Sequence, residues 1–333
     1  MFEIISSINF IDSAQIASKV KNIHLRGYKT NTFLTGEFAL KLKMKEIKPL
    51  SVSDISDYFC ESRRDLYMKK GKNKPAGIKR DKTWGGIAGN LVEDYFFNLF
   101  QSENDKRNRL SYDSITKASL SQNEAFALAK SKQLKSLNSL KSRASEDPEW
   151  FLSLLYHAGK QSMAFKSIDS IFAKNNSLPT AKSSDVKKLV IPTKCNQIGI
   201  STGVTPDFVL PSHRIVGDIK SGIMGFKDYF LYTCTGYALA YENAYGQGND
   251  IDIGVIFYFP TRSSDFAKPI SFAQTYLFVI DDELRGSFIR RRDEAYSIIS
   301  KDKPPIASES IHCLTCQVKN ACKELLMHEK SKS

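Results

Sequence analysis

Short apolar runs alternate with longer amphipathic segments in much of the chain. The short runs are rich in β-branched and aromatic residues, which favours strands. They lie at 203–210, 214–221, 251–259 and 270–280. Segments with apolar residues at helical spacing lie at 82–102, 226–245 and 281–300. This order predicts an α/β fold with a mixed sheet flanked by helices.

The other parts of the chain have weaker patterns. Residues 103–180 are rich in Ser, Lys and Asn and contain helical stretches at 121–142 and 147–174, which predicts a mainly helical insertion. Residues 32–42 are consistent with short strands. No run approaches the 18 apolar residues of a membrane helix, and no Gly-x-x-x-x-Gly-Lys-Ser/Thr loop suggests a fused helicase motor.

Two carboxylates and a lysine lie in the hairpin that the apolar runs at 203–210 and 214–221 predict. If Leu210 pairs with Ile215, Asp207 lies directly opposite Asp218, with Cβ atoms about 4.5–5.5 Å apart. Strand alternation points Lys220 to the same face as Asp218. Carboxylates this close repel unless a cation lies between them, and Mg²⁺ or Mn²⁺ suits such oxygen ligands. The pattern is typical of a metal-dependent nuclease; the alternative is a surface hairpin with solvated charges.

Four of the six cysteines indicate a metal centre: Cys313, Cys316 and Cys322 in one short segment, and Cys60 far upstream. The low cysteine content and the absence of a signal-peptide pattern predict reduced thiols in a cytoplasmic protein. Zinc usually takes its ligands as two local pairs, and Cys60 has no cysteine or histidine partner at that spacing. A 4Fe-4S cluster takes single thiolates without this demand, so we expect iron–sulfur, with zinc as the alternative.

A basic excess predicts an anionic partner. The chain has 48 Lys and Arg against 36 Asp and Glu, a net charge of +12, and phosphate backbones are the commonest match. Much of the excess lies at 69–82, where the alternative to DNA binding is a solvated loop. The candidate DNA-binding residues are Lys72, Lys74, Lys79, Arg80 and Lys82, with Trp84 for stacking on unpaired bases.

The hairpin resembles the Pro-Asp … Asp/Glu-x-Lys signature of restriction-endonuclease-like nucleases, here Pro206-Asp207 and Asp218-Ile219-Lys220. Residues 86–93 are similar to the helix that the RecB-like branch places before this hairpin. That branch has a metal-binding histidine where this chain has Asn90, and Glu93 follows one turn later. The resemblance implies that Asn90 and Glu93 join the two aspartates around a divalent cation.

The segment 229–242 resembles the Gln-x-x-x-Tyr helix of the same branch. Tyr237 matches the tyrosine, and Thr233 stands in place of the glutamine. The resemblance implies that Tyr237 acts beside Lys220 in the catalytic centre. The implied fold is a restriction-endonuclease-like (PD-(D/E)XK) core with an inserted helical lobe and an iron–sulfur C-terminal subregion.

A remote cysteine before such a core and a cysteine triplet after it resemble the CRISPR-associated Cas-four exonucleases. The segment 51–67 is similar to the beginning of that family's core, and the resemblance covers 49–99 and 196–326. It implies a 4Fe-4S cluster and an Mn²⁺- or Mg²⁺-dependent exonuclease acting on single-stranded DNA ends. It also implies CRISPR spacer acquisition beside integrase proteins. The alternatives are a repair nuclease of the same superfamily and a non-catalytic iron–sulfur DNA-binding or scaffold protein.

Five regions are expected from these patterns taken together. They are an N-terminal extension (1–48), the first part of the nuclease core with Cys60 and the active-site helix (49–99), the mainly helical insertion (100–195), the rest of the core (196–300) and the cysteine-cluster segment (301–333).

Overall fold

The computed structural model describes residues 5–6, 20–57, 60–72, 190–222, 226–260, 274–307, 313, 316 and 318–330. Its centre is a mixed sheet of four strands with a two-residue edge strand. The strands are β1 (Ile5–Ser6), β2 (Phe208–Leu210), β3 (Ile215–Gly222), β4 (Ile253–Pro260) and β5 (Gln274–Val279). Their spatial order is β1-β5-β4-β3-β2. The α/β class predicted from the sequence is confirmed for this part of the chain.

The pairing directions follow from the connections between strands. β2 and β3 form an antiparallel hairpin, because only the short turn Pro211–His213 separates them. β3 and β4 are parallel, and helix α5 (Tyr229–Tyr245) connects them. β4 pairs antiparallel with β5. The strands β2 to β5 and helix α5 coincide with the segments that the apolar pattern predicts, although β2 and β5 are shorter and β3 and β4 each end one residue later.

Helices cover the sheet and form most of the core. The remaining helices are α1 (Gly36–Lys43), α2 (Val52–Ser56), α3 (Arg64–Lys70), α4 (Cys195–Ile198), α6 (Asp282–Ile299) and α7 (Lys319–Lys330). α5 packs on β3 and β4, and α6 and α2 pack on α5. α5 is buried along most of its length because sheet and helices surround it. α6 begins where the Asp281 side chain caps the helix by accepting from the Leu284 N–H, 3.0 Å away.

A buried ion-pair network joins the N-terminal residues to this core. Glu242 on α5 is fully buried, and its carboxylate lies 2.9 Å from Arg26 Nη1 and 2.8 Å from Arg285 Nη1. Its Oε2 also accepts a hydrogen bond from the Gly27 N–H at 2.8 Å. A buried carboxylate is tolerated when it is paired in this way, so the residues around 26 are part of the folded core.

The expectation of short strands at 32–42 is wrong. This segment forms a 3-10 turn at Thr30–Thr32 and helix α1. The helix sequence Gly-Glu-Phe-Ala-Leu-Lys-Leu-Lys is rich in good helix formers, and Lys41 pairs with Glu37 one turn earlier. The predicted helix at 82–102 and the helical stretches at 121–142 and 147–174 lie outside the described residues.

Gly217, which directly precedes Asp218 on β3, leaves the space that the ring of Phe208 occupies. A Cβ atom at this position would lie 1.8 Å from the ring of Phe208, which stacks on Phe257. We expect Gly217→Ala to lower the free energy of unfolding by about 1–3 kcal/mol, because the ring must move within a packed core. Gly286→Ala on α6 is the matched control, since its Cβ would meet nothing closer than 3.4 Å. Urea unfolding of both variants measures the difference, and equal stability would contradict this role of Gly217.

Candidate active site

The hairpin has the register that the sequence predicts. Leu210 pairs with Ile215 and Phe208 with Gly217, so this register, continued by one residue beyond the start of β2, places Asp207 opposite Asp218. Asp207 Oδ2 accepts a hydrogen bond from the Ile219 N–H at 2.5 Å, which fixes this carboxylate beside β3. The side chain of Asp207 therefore has a structural contact in addition to any chemical role.

Asp218 and Lys220 form a close ion pair. Lys220 Nζ lies 2.6 Å from Asp218 Oδ2, and Asp218 is only 2% exposed. No hydrogen bond of good geometry reaches this oxygen from the residues described. Lys220 Nζ also lies 5.8 Å from the centre of the Phe230 ring, so its charge sits against α5.

The charge state of Lys220 follows from its surroundings. Burial by itself would lower the pKa of Lys220, but the carboxylates of Asp218, Asp207 and Asp57 raise it above its usual value. Lys220 is therefore an ammonium ion at neutral pH. It can donate hydrogen bonds and stabilise negative charge, whereas a proton-accepting role would require the neutral amine.

The first half of α5 brings tyrosines to the same region. Burial, together with the charges of Asp218 and Asp207, raises the pKa of Tyr237 well above its usual value. Burial and the charge of Asp57 raise the pKa of Tyr229 to about 12. Both tyrosines are therefore protonated phenols that can donate a hydrogen bond. The sequence pattern predicts Tyr237 at the site, and it does not predict Tyr229.

Thr233 also lies on α5, but its hydroxyl has a partner inside the protein. Thr233 Oγ1 is 3.1 Å from Ser56 Oγ, at the last residue of α2. This contact is buried and joins α2 to α5. Thr233 thus ties two elements of the site together.

Asp57 is a site residue that the sequence patterns miss. It follows α2 directly, and its carboxylate interacts with the charges of Lys220 and Asp218. Burial raises the pKa of Asp57 to about 6, although Lys220 opposes the rise. The sequence contains only a weak signal for Asp57. It is an acidic residue directly after the helix that begins at the Ser51–Asp54 capping box, and it lies three positions before Cys60.

The raised pKa of Asp57 gives stability a specific pH dependence. The folded value is about 6 and the usual value 3.8, so ionisation of Asp57 opposes folding. The stability that its neutral form contributes is complete below pH 3.8 and is lost as the pH rises through about 6. We expect the stability advantage of Asp57→Asn over the wild type to grow across this window and then stay constant. Thermal unfolding in chelator at a series of pH values measures it; a pH-independent difference would contradict the assignment.

The carboxylates of the hairpin suit a hard divalent cation by their chemistry. Asp207 and Asp218 occupy facing positions, and Asp218 Oδ2 is buried without a hydrogen bond of good geometry among the described residues. Among the described residues, no group of three or more His, Cys, Asp or Glu side chains is close enough to hold a metal ion. The predicted ligands Asn90 and Glu93 lie outside the described residues.

Comparison with protein families decides the class of the protein. The family model described as CRISPR-associated exonuclease Csa1 matches residues 1–325. The chain belongs to this family. The search of curated proteins finds no match. Csa1 proteins are exonucleases, so the predictions of a CRISPR-associated nuclease and of phosphodiester hydrolysis are confirmed. The match includes residues 1–48 and 100–195, which the resemblance to Cas-four proteins does not cover; a closer relation to Cas-four stays a prediction.

In this Csa1-family chain the two cysteine-bearing regions meet. α3 follows Cys60, α7 contains Cys322, and the two helices pack together. Burial raises the pKa of Cys322 against the opposing charge of Arg64, and the neighbouring Cys60 and Cys313 add to the rise. Burial likewise raises the pKa of Cys316, which also interacts with Cys60. The four thiols are half-buried, and in the described part of the chain they are not close enough together to hold a metal ion.

The remaining predicted DNA-binding residues are mostly beyond the described chain. Lys72 is described: its side chain is 53% exposed, and Nζ lies 3.5 Å from Asp302. An exposed pair of this kind contributes little to stability, so Lys72 can exchange its partner for a phosphate. The other predicted DNA-binding residues lie outside the described ranges: Lys74, Lys79, Arg80, Lys82 and Trp84.

No helix in the described ranges is long and apolar enough to cross a membrane.

Proposed function

We propose that this Csa1-family exonuclease degrades single-stranded DNA from its ends with Mn²⁺ or Mg²⁺ bound at the hairpin. We further propose that it acts in CRISPR spacer acquisition, in contact with integrase proteins, and carries a 4Fe-4S cluster. The observation that supports this most strongly is the arrangement of Asp207, Asp218 and Lys220. It pairs two facing carboxylates with an ammonium ion on one strand, in a family of exonucleases.

The residues of the centre have separate roles in this proposal. Asp207 and Asp218 would hold the cation, with Asn90 and Glu93 as further ligands. When bound, the cation supplies Lewis-acid stabilisation of the charge that develops on the attacked phosphate. The Lys220 ammonium donates hydrogen bonds to a phosphate oxygen or to the attacking water, which fits its raised pKa. Tyr237, as a protonated phenol, orients Lys220 or the substrate.

The four cysteines would join the region around α3 to the C-terminal region around α7. Cys60, Cys313, Cys316 and Cys322 provide four thiol ligands, the number that a 4Fe-4S cluster takes. The packing of α3 against α7 supports this assignment because it brings their regions together. The thiols must lose their protons on binding, and the raised pKa values of Cys316 and Cys322 make this harder in the metal-free protein.

Family membership favours this function over the two alternatives. A repair nuclease outside CRISPR fits less well, because the matching family is CRISPR-associated. A non-catalytic DNA-binding protein fits less well, because the family is named for exonuclease activity. The resemblance to Cas-four exonucleases favours a single-stranded substrate, and the basic segment at 69–82 favours binding of a phosphate backbone.

The experiment compares substrates that differ only in their ends. Anaerobically purified protein is incubated with Mn²⁺ or Mg²⁺ and with linear single-stranded, circular single-stranded or blunt double-stranded DNA. We expect the linear single strand to be degraded and the circle to persist. Degradation of the circle at the same rate would contradict exonuclease action, and preference for the duplex would contradict the proposed substrate.

A further inference from the structure

Aromatic residues of β4 and β5 lie on the same face of the sheet as the charged pair of the candidate site. The parallel register of β3 and β4 pairs Asp218 with Ile256 and Lys220 with Tyr258. The antiparallel register of β4 and β5 pairs Ile256 with Tyr276. Because directly paired residues point to the same face of a sheet, both tyrosines share the face of Asp218 and Lys220.

Three rings at the beginning of α5 pack over these tyrosines. The centre of the Phe226 ring lies 4.0 Å from that of Tyr276. Phe230 stacks on Tyr258 at 6.0 Å and meets Phe226 edge-on at 5.6 Å. Tyr229 meets Phe230 edge-on at 4.7 Å. The five rings therefore form one continuous group, which we call the aromatic cluster.

The aromatic cluster adjoins the Lys220 ammonium and reaches the surface. Lys220 Nζ lies 5.8 Å from the centre of the Phe230 ring. Phe230 and the two tyrosines of the sheet are buried, whereas Phe226 and Tyr229 are half-buried. The buried rings thus fix the orientation of two outer rings that remain partly accessible beside the charged pair.

This combination of groups matches a single-stranded nucleotide. A nucleotide presents an anionic phosphate next to a flat base, and the site offers an ammonium next to aromatic rings. Bases of every kind stack on aromatic side chains, because each base has a π-face. In a duplex the bases are paired and stacked on one another, so a base must be unpaired to stack on a protein ring.

We propose that Phe226 and Tyr229 form a stacking site for an unpaired base of the DNA strand, next to the nuclease centre. The inference rests on the function proposed above and adds the residues that select a single strand. A base stacked on these rings holds the strand beside Lys220, so a neighbouring phosphate can reach the ammonium. The bases of a paired end are not available for this contact, and a duplex therefore loses it.

The test measures DNA binding in chelator, where no cleavage takes place under the proposed function. Two short single strands are compared by fluorescence anisotropy, one complete and one without bases at the terminal nucleotides of both ends. We expect the wild type to bind the complete strand about 5- to 100-fold more tightly. Phe226→Leu and Tyr229→Leu should weaken binding of the complete strand and bring the two affinities closer together.

Two further variants control for the loss of an aromatic side chain. Tyr229→Phe keeps the ring and removes the hydroxyl, so it should retain the wild-type preference for the complete strand. Tyr245→Leu removes a ring that is 43% exposed at the opposite end of α5, and it should bind both strands like the wild type.

The outcomes separate the stacking site from the proposed function. Equal affinity of the wild type for both strands would contradict base stacking, and an unchanged preference in both leucine variants would contradict its assignment to these rings. If Phe226→Leu does not fold, the comparison of Tyr229→Leu with Tyr229→Phe decides. The proposed function is tested separately by Asp218→Asn: wild-type cleavage by this variant would overturn that function and leave the binding result intact.

Discussion

Asp218→Asn is expected to reduce DNA cleavage by about a hundredfold or more, with little change in DNA affinity. The exchange keeps the size of the side chain and removes the buried charge that lies 2.6 Å from Lys220 Nζ. Lys220→Met should have a comparable effect, because it removes the ammonium from the same ion pair. DNA binding should persist, since most of its free energy comes from basic residues elsewhere.

Two measurements separate chemistry from binding in these variants. Single-turnover degradation of an end-labelled strand gives the rate, and fluorescence anisotropy without divalent metal gives the affinity. Asp293→Asn is the charge-matched control and should behave like the wild type. Loss of binding in parallel with loss of cleavage would instead indicate that the hairpin holds DNA. Wild-type cleavage by both variants would exclude the hairpin as the catalytic centre.

Cys60→Ser is expected to remove most of the iron from the anaerobically purified protein. The wild type should be brown and contain about four iron atoms per chain, because four thiolates suit a cubane cluster. Cys316→Ser should lose iron to the same extent, since the proposal gives both thiols the same role as cluster ligands. The loss should also destabilise the contact between α3 and α7.

Cys234→Ala is the matched control for the cysteine variants. Cys234 is fully buried on α5, and its thiol contacts the Val255 carbonyl at 3.7 Å, so it has no place in a shared cluster. It should retain the wild-type iron content, measured by iron analysis and visible absorption. A colourless wild type with one tightly bound zinc would contradict the cluster. Full iron content in Cys60→Ser would contradict the assignment of the remote ligand.

The hairpin could be predicted from the sequence because its determinants are local. A short loop between two apolar runs fixes the pairing of Leu210 with Ile215, and the facing position of Asp207 and Asp218 follows by counting. The strand β4 and helix α6 were predictable for similar reasons, since each has a clear period and clear ends.

Asp57 and the buried ion pairs could not be predicted in this way. Asp57 lies near enough for its charge to act on Lys220 only because α2 packs on α5, and no local pattern determines that packing. Glu242 pairs with Arg26 and Arg285, which lie far from it in the sequence and on either side of it. The error at 32–42 has another cause: no clear period distinguishes strand from helix there, and helix propensity favours α1.

Metal dependence of cleavage tests the central proposal most directly. Chelator-treated protein should leave an end-labelled single strand intact, and added Mn²⁺ should restore its degradation in the wild type but not in Asp218→Asn. Degradation by chelator-treated protein, or equal restoration in Asp218→Asn, would contradict a metal-dependent nuclease centre at the Asp207–Asp218 hairpin.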